Sequence, residues 1–109
     1  MRPYEAMVIF DADLDEAVIR GVIDRSLDIV RNGGGESGGV DHWGKRRFAY
    51  ELKHRWEGYY VVFQAQTEPA VVAELNRYLS LADEVMRHRV VTIPPHMYGK
   101  TRPPAPADT

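Results

Sequence analysis

Cysteine is absent from this chain of 109 residues. That excludes disulfides, cysteine nucleophiles and thiolate metal sites together, and it suits a reducing compartment. Long apolar runs are missing too: nothing approaches the roughly 20 residues that span a bilayer. The start, MRPYEAMVIFDAD, meets acid at Asp11 too early for a signal peptide. A cytoplasmic location with no membrane partner is expected. Positive charge is not in excess either, since the formal net charge is −2. Catalytic patterns are equally scarce. His42, His54, His88 and His96 show no metal-ligand spacing, and the GxSxG pattern does not occur. The glycine-rich Gly33–Gly39 stretch lacks the Gly-Lys-Ser/Thr ending of a phosphate loop. The acidic Asp11–Glu16 run has glutamate where a calcium loop needs glycine. No catalytic residue, metal site or cofactor is therefore expected.

What is present is an uneven distribution of charge. Residues 1–41 carry four Lys/Arg against nine Asp/Glu, whereas residues 42–66 carry five against two. An acidic front is thus followed by a basic middle. Local patches of this kind, rather than the total, decide where a polyanion can dock. The basic middle centres on GKRRFAYELK, where Lys45, Arg46 and Arg47 are consecutive. Such a cluster adds little to fold stability, because like charges repel and surface ion pairs are weak.

Hydrophobic periodicity gives the elements. Residues 3–10 alternate as a strand, with Tyr4, Ala6, Val8 and Phe10 on one face and Glu5, Met7 and Ile9 on the other. A helix is predicted over about 15–31, capped by Asp13, with Leu14, Val18, Val22, Ile29 and Val30 as its buried stripe. Gly33–Gly39 reads as a turn. Strands are predicted at 40–53 and 58–66, joined through His54–Glu57 as a hairpin. A second helix follows Thr67 with Pro69 in its first turn, and a fourth strand covers about 85–93. The order β-α-β-β-α-β predicts an α+β, ferredoxin-like fold: a four-stranded antiparallel sheet with two helices on one face. Residues 1–93 form the expected domain, and 94–109 a proline-rich flexible C-terminal tail.

This fold leaves one sheet face without helices. Alternation assigns it Glu5, Met7, Ile9, Tyr60, Val62, Gln64, Arg87, Arg89 and Val91, while Tyr59, Val61, Phe63, Met86, His88 and Val90 should point into the core. An apolar centre rimmed by cations marks a contact surface, and homodimerisation through the same face is a second reading. The EGYYVVFQ segment only thinly matches the third-strand motif of RNA-recognition domains, with Glu57 in place of a cation and Tyr60 in place of a small residue.

Taken together, the chain resembles the bacterial small-subunit ribosomal protein S-six family over about residues 1–93. The resemblance rests on MRPYE, on Gly44-Lys45-Arg46-Arg47-Phe48-Ala49-Tyr50-Glu51-Leu52-Lys53, on Gly58-Tyr59-Tyr60, and on Asp83-Glu84-Val85-Met86-Arg87. Phe48 and Leu52 replace the usual leucine and isoleucine, which are mild departures. The resemblance implies a structural component of the small ribosomal subunit, not an enzyme. It implies binding to the central domain of 16S ribosomal RNA together with small-subunit ribosomal protein eighteen. Carried over by position, Arg2, Tyr4, Lys45, Arg87 and Arg89 are the expected RNA contacts, although Tyr4 equally fits a core position. Arg46, Arg47 and Tyr50 are the expected partner surface. The alternative is a dimeric ferredoxin-like enzyme or small-ligand regulatory domain using the open face, for which Glu5 and Gln64 with the arginines would have to serve.

Overall fold

The first strand, β1 (Arg2–Asp11), alternates side chains between two apolar surfaces and therefore takes the middle of the sheet. The computed structural model describes residues 1–52 and 55–99, with side chains for all of these except 49–52. After β1 come α1 (Glu16–Asn32), β2 (Glu36–Leu52), β3 (Arg55–Thr67), α2 (Pro69–Leu81) and β4 (Val85–Thr92), followed by a short 3₁₀ turn at Pro95–Met97. The strands order as β2-β3-β1-β4, and each neighbouring pair is antiparallel. This is the expected ferredoxin-like βαββαβ arrangement, with β2 and β4 as its edges. No helix among the described residues is long and apolar enough to cross a membrane.

The main core lies between sheet and helices. Ala6, Val8 and Phe10 from β1 and Val61 and Phe63 from β3 meet Ile19, Val22, Ile23 and Leu27 of α1 and Leu75 and Leu79 of α2. Burial of each such side chain contributes about 1.5–3 kcal/mol against its exposure. The buried stripe of α1 keeps the expected Val22 and Val30 and adds Ile19, Ile23 and Leu27; Leu14 and Ile29 are partly buried against it, and Val18 is left 39% exposed at its edge. The N-cap is Asp15 rather than Asp13, whose own N–H instead bonds the Asp11 carboxylate at 3.0 Å in a local turn. The helix stops where Gly34 takes a φ of +85°, a conformation without penalty for glycine. Its neighbour Gly35 then returns an N–H to the Val30 carbonyl at 2.9 Å.

Two boundaries differ from the sequence expectation. β2 begins at Glu36, inside the glycine-rich stretch, because Glu36 and Ser37 pair with Gln66 and Ala65 of β3. At the other end β3 begins at Arg55, so Arg55, Trp56 and Glu57 belong to a strand instead of a connection. Both changes lengthen the β2–β3 hairpin into an arm, because backbone pairing outweighs the weak strand preference of Gly and Glu. Lys53 and His54 lie outside the described residues.

Candidate functional site

The pleat sets the rows of the open face. Arg87 on β4 sits opposite Ile9 on β1, which sits opposite Tyr60 on β3, which faces Gly44 on β2. In the next row Arg89, Met7, Val62 and Asp41 follow one another in the same way. Each row thus starts with an arginine at the β4 edge and runs into apolar side chains. Ile9, Phe48 and Tyr60 form a second, smaller cluster of buried residues, with Met7, Trp43 and Met86 packed around it. Trp43 stacks on Tyr60 with ring centroids 6.3 Å apart and planes 11° off parallel, and Phe48 tilts against Tyr60 at 6.3 Å.

Two irregularities build that cluster. On β4 the pairing slips between Ile9 and Phe10, so that Ile9 faces Arg87 while Phe10 faces Val85. This bulge delivers Val85 to the main core and Met86 to the open-face cluster. Met86 therefore does not point into the main core as alternation predicts. On β2 the register shifts between His42 and Gly44, where Gly44 has a φ of +83°. Trp43 is thereby thrown onto Tyr60, while His42 stays on the helix side with its Nδ1 3.2 Å from the Tyr59 hydroxyl.

The basic residues are brought together only in part. Arg87 and Arg89 are exposed neighbours on the open face, flanking Met7 and Ile9. Arg2 is exposed at the start of β1, about 17 Å of extended chain from Met7 at roughly 3.4 Å per residue. Tyr4 shares the helix-side alternation of Ala6 and Val8 and is 8% exposed among the core residues. The Lys45–Arg47 run is divided by the pleat. Arg46 lies opposite Gly58, on the alternation of Tyr60, whereas Lys45 and Arg47 lie opposite Tyr59 and Glu57 on the other face. Tyr50 belongs to β2, with its side chain outside the described set. Arg55 is engaged elsewhere: its guanidinium meets Asp11 at 3.2 Å and Asp13 at 2.7 Å, tying the arm to the β1–α1 turn.

Residues beyond β4 cross part of the same face. Gln64, 6% exposed, donates from Nε2 to the Met97 carbonyl at 3.4 Å and accepts the Gly99 N–H on Oε1 at 2.6 Å. The Tyr98 hydroxyl donates to Glu36 at 3.5 Å, and a side chain at Gly38 would strike the Tyr98 ring at 3.2 Å. Burial, then the charge and hydrogen bond of Glu36, raise the Tyr98 phenol above its ordinary value. The space left between Met7, Ile9, Arg87, His88 and Arg89 is only about 30 Å³. That is room for one water, not for an organic ligand. No group of three metal-ligating side chains occurs among the described residues.

Trp56 is the surface residue that the sequence reading passed over. It is 51% exposed on β3, on the alternation of Gly58 and Tyr60. The signal was its position: an aromatic residue between Arg55 and Glu57 stood in a segment expected to be a loop.

The centre of the open face is a closed apolar surface edged by arginine, with a recess of only about 30 Å³ beside Arg87 and Arg89. The family model for ribosomal protein S6 matches residues 3–92. Small ribosomal subunit protein bS6 of Streptomyces coelicolor is 48% identical over 91 residues, covering 84% of this chain and 95% of that protein. The bS6 of Mycolicibacterium paratuberculosis is 47% identical over 96 residues, covering 88% of this chain and 100% of its own length. Among solved structures, 30S ribosomal protein S6 from Thermotoga maritima superposes with a TM-score of 0.78 at 27% identity, covering 84% of this chain and 87% of that one. The C-terminal domain of the MgtC protein from Mycobacterium tuberculosis shares the fold, with a TM-score of 0.53 at 19% identity. With the family model covering the whole sheet and both helices, the chain belongs to the ribosomal protein S6 family.

Proposed function

We propose that this protein binds the central domain of 16S ribosomal RNA together with small-subunit ribosomal protein eighteen. Membership of the S6 family makes it a structural protein of the small ribosomal subunit rather than an enzyme, and puts it in the cytoplasm with the ribosome. The observation that carries the finer reading is the row order of the open face, with exposed Arg87 and Arg89 beside a closed apolar centre. Arginine forks at the edge of a rigid sheet suit phosphate oxygens, and they need no pocket. Arg2 and Lys45 add exposed cations outside that pair, and Tyr4 would contribute through what little of its edge reaches solvent. The edge strand β2, which carries Arg46, Arg47 and Tyr50, is the surface proposed for protein eighteen.

Binding of a central-domain RNA fragment, titrated with and without protein eighteen at two salt concentrations, tests this reading. Tight binding only with the partner, weakening as salt rises, is expected. Equal binding without the partner would make the protein a free-standing RNA module, and no binding in either arm would overturn the proposal.

A further inference from the structure

We propose that the cleft between α1 and the α2–β4 turn is a self-association surface, in which a second copy of this chain docks about a two-fold axis. The cleft lies on the helix side, away from the open face, and holds about 520 Å³. Val18, Gly21 and Arg25 line one lip, and their spacing of three and four residues puts them on one stripe of α1. Tyr78, Leu81, Asp83 and Glu84 line the other. Two of the four exposed large apolar side chains among the described residues stand on these lips: Leu81 at 71% and Val18 at 39%. A cleft whose apolar walls already face solvent cannot enclose a small ligand, but it suits another protein surface.

Shape and charge select the occupant, because the two lips complement each other. Leu81 is a knob on its lip, while the α1 lip has a gap at Gly21, where an added Cβ would meet nothing within 4 Å. Charge follows the same division: the α1 lip carries Arg25, and the α2–β4 lip carries Asp83 and Glu84. Both signs reach the cleft itself, as Tyr78 shows. Burial raises its phenol most, Arg25 opposes that rise, and Glu84 adds to it. Arg25, Asp83 and Glu84 form no ion pair with one another or with any other described residue. A uniformly basic partner would be repelled by Arg25, and a uniformly acidic one by Asp83 and Glu84. The matching partner carries acid and a knob where this cleft has its cation and gap, and a cation and a gap where it has its acid and knob. This chain presents that pattern on the same surface. A two-fold rotation lays the α1 lip of one copy on the α2–β4 lip of the other, so that Leu81 meets Gly21 and Arg25 meets Glu84, each twice. The open face, with Arg87 and Arg89, stays uncovered in such a pair.

Analytical ultracentrifugation of the full chain over a concentration series tests this. The mass should rise from one chain toward two as the concentration approaches about 1 mM, as a small interface allows. Arg25→Glu or Glu84→Arg alone sets like charges together at both contacts of the pair, and each should weaken association about tenfold. An equimolar mixture of these two variants should recover the parent's association, because a pair of unlike variants has opposite charges at both contacts again. Leu81→Ser keeps the charges and removes the knob, and it too should weaken association. Arg25 and Leu81 are exposed, so these variants should melt like the parent. Should one charge variant fail to fold, Leu81→Ser still decides. A parent chain that stays a monomer at about 1 mM overturns the proposal. Association that survives all three variants does the same, since the contact would then lie on another surface. Growth past two copies would make the contact head-to-tail instead of two-fold. Loss in the single variants without recovery in the mixture would remove the pairing of Arg25 with Glu84 and the two-fold with it.

Discussion

The two faces of the sheet are both apolar at their centres, but they are closed in different ways. On the helix side twelve buried residues from five elements form one continuous core. On the open side only Ile9, Phe48 and Tyr60 form the buried cluster, and it is closed by Met7, Trp43 and Met86 from three strands. The helix side has its apolar surface covered by two amphipathic helices, so its edges can be polar and unremarkable. The open side has to cover itself, and it does so with two bulges and a stacked tryptophan. What remains at its rim is arginine. One face is thus built as a continuous core, whereas the other closes a modest residual core into a flat, charged platform.

Breaking the helix side should produce the largest effect. Phe10 is fully buried between sheet and helices, so Phe10→Ala removes a large ring that the surroundings cannot fill. A loss of about 3–5 kcal/mol is expected, a large part of the total for a domain of this size. Urea unfolding would check it, and a midpoint close to the parent's would mean the core collapses around the gap. Gly58→Ala is the matching change on the open side. Its new Cβ would lie 2.5 Å from Ile9 Cγ2 and 2.7 Å from Phe48 Cζ, both in the smaller cluster. Overpacking there should cost about 1–3 kcal/mol, less than the Phe10 change if the open face is the lesser contributor. The same urea titration reads the difference, and a larger loss at Gly58 would reverse the ranking of the two faces.

How much of this was legible from the residues depends on where period-two alternation holds. It holds along β1, so the helix-side Ala6, Val8 and Phe10 and the outward Met7 and Ile9 could be read directly. It also placed Arg87 and Arg89 on the open face, because both lie beyond the β4 bulge. It fails at Met86, since the slip at Ile9/Phe10 depends on how β1 and β4 pair, which no local pattern encodes. The shift between His42 and Gly44 likewise decides which faces Lys45, Arg46 and Arg47 take. Adjacent cations look like one patch in sequence and are two in space. Trp56 was hidden for a related reason: Arg55–Glu57 has weak strand preference and becomes strand only through its pairing with β2. In α1 the stripe was legible at Val22 and Val30 and failed at Val18, because packing on the sheet turned the adjacent Ile19 inward instead.

A smaller effect on stability separates the rim from the core. Arg89→Ala should leave the urea midpoint nearly unchanged, within about 0.5 kcal/mol, as exposed substitutions do. Yet it should weaken RNA binding in the presence of protein eighteen and reduce the salt slope by about one unit. A binding isotherm unaltered at two salt concentrations would take Arg89 out of the interface.

The smallest effect concerns protons, and it divides the faces again. His88 faces the helix side opposite Val8 and is half-buried, so burial pulls its imidazole below the usual 6.5. The unfolded chain therefore takes up this proton first as pH falls. Its contribution to stability is complete above about pH 6.5 and is lost on acidification through the lower folded value. Acidification between pH 7 and 5 should thus loosen the helix side through His88. His88→Gln, which cannot titrate, should lose less stability over that interval than the parent chain. Paired urea midpoints at pH 7 and 5 measure the difference. Identical pH slopes would mean that the imidazole is as well solvated in the fold as in the unfolded chain, and that water reaches the helix side of β4 as freely as it reaches the rim.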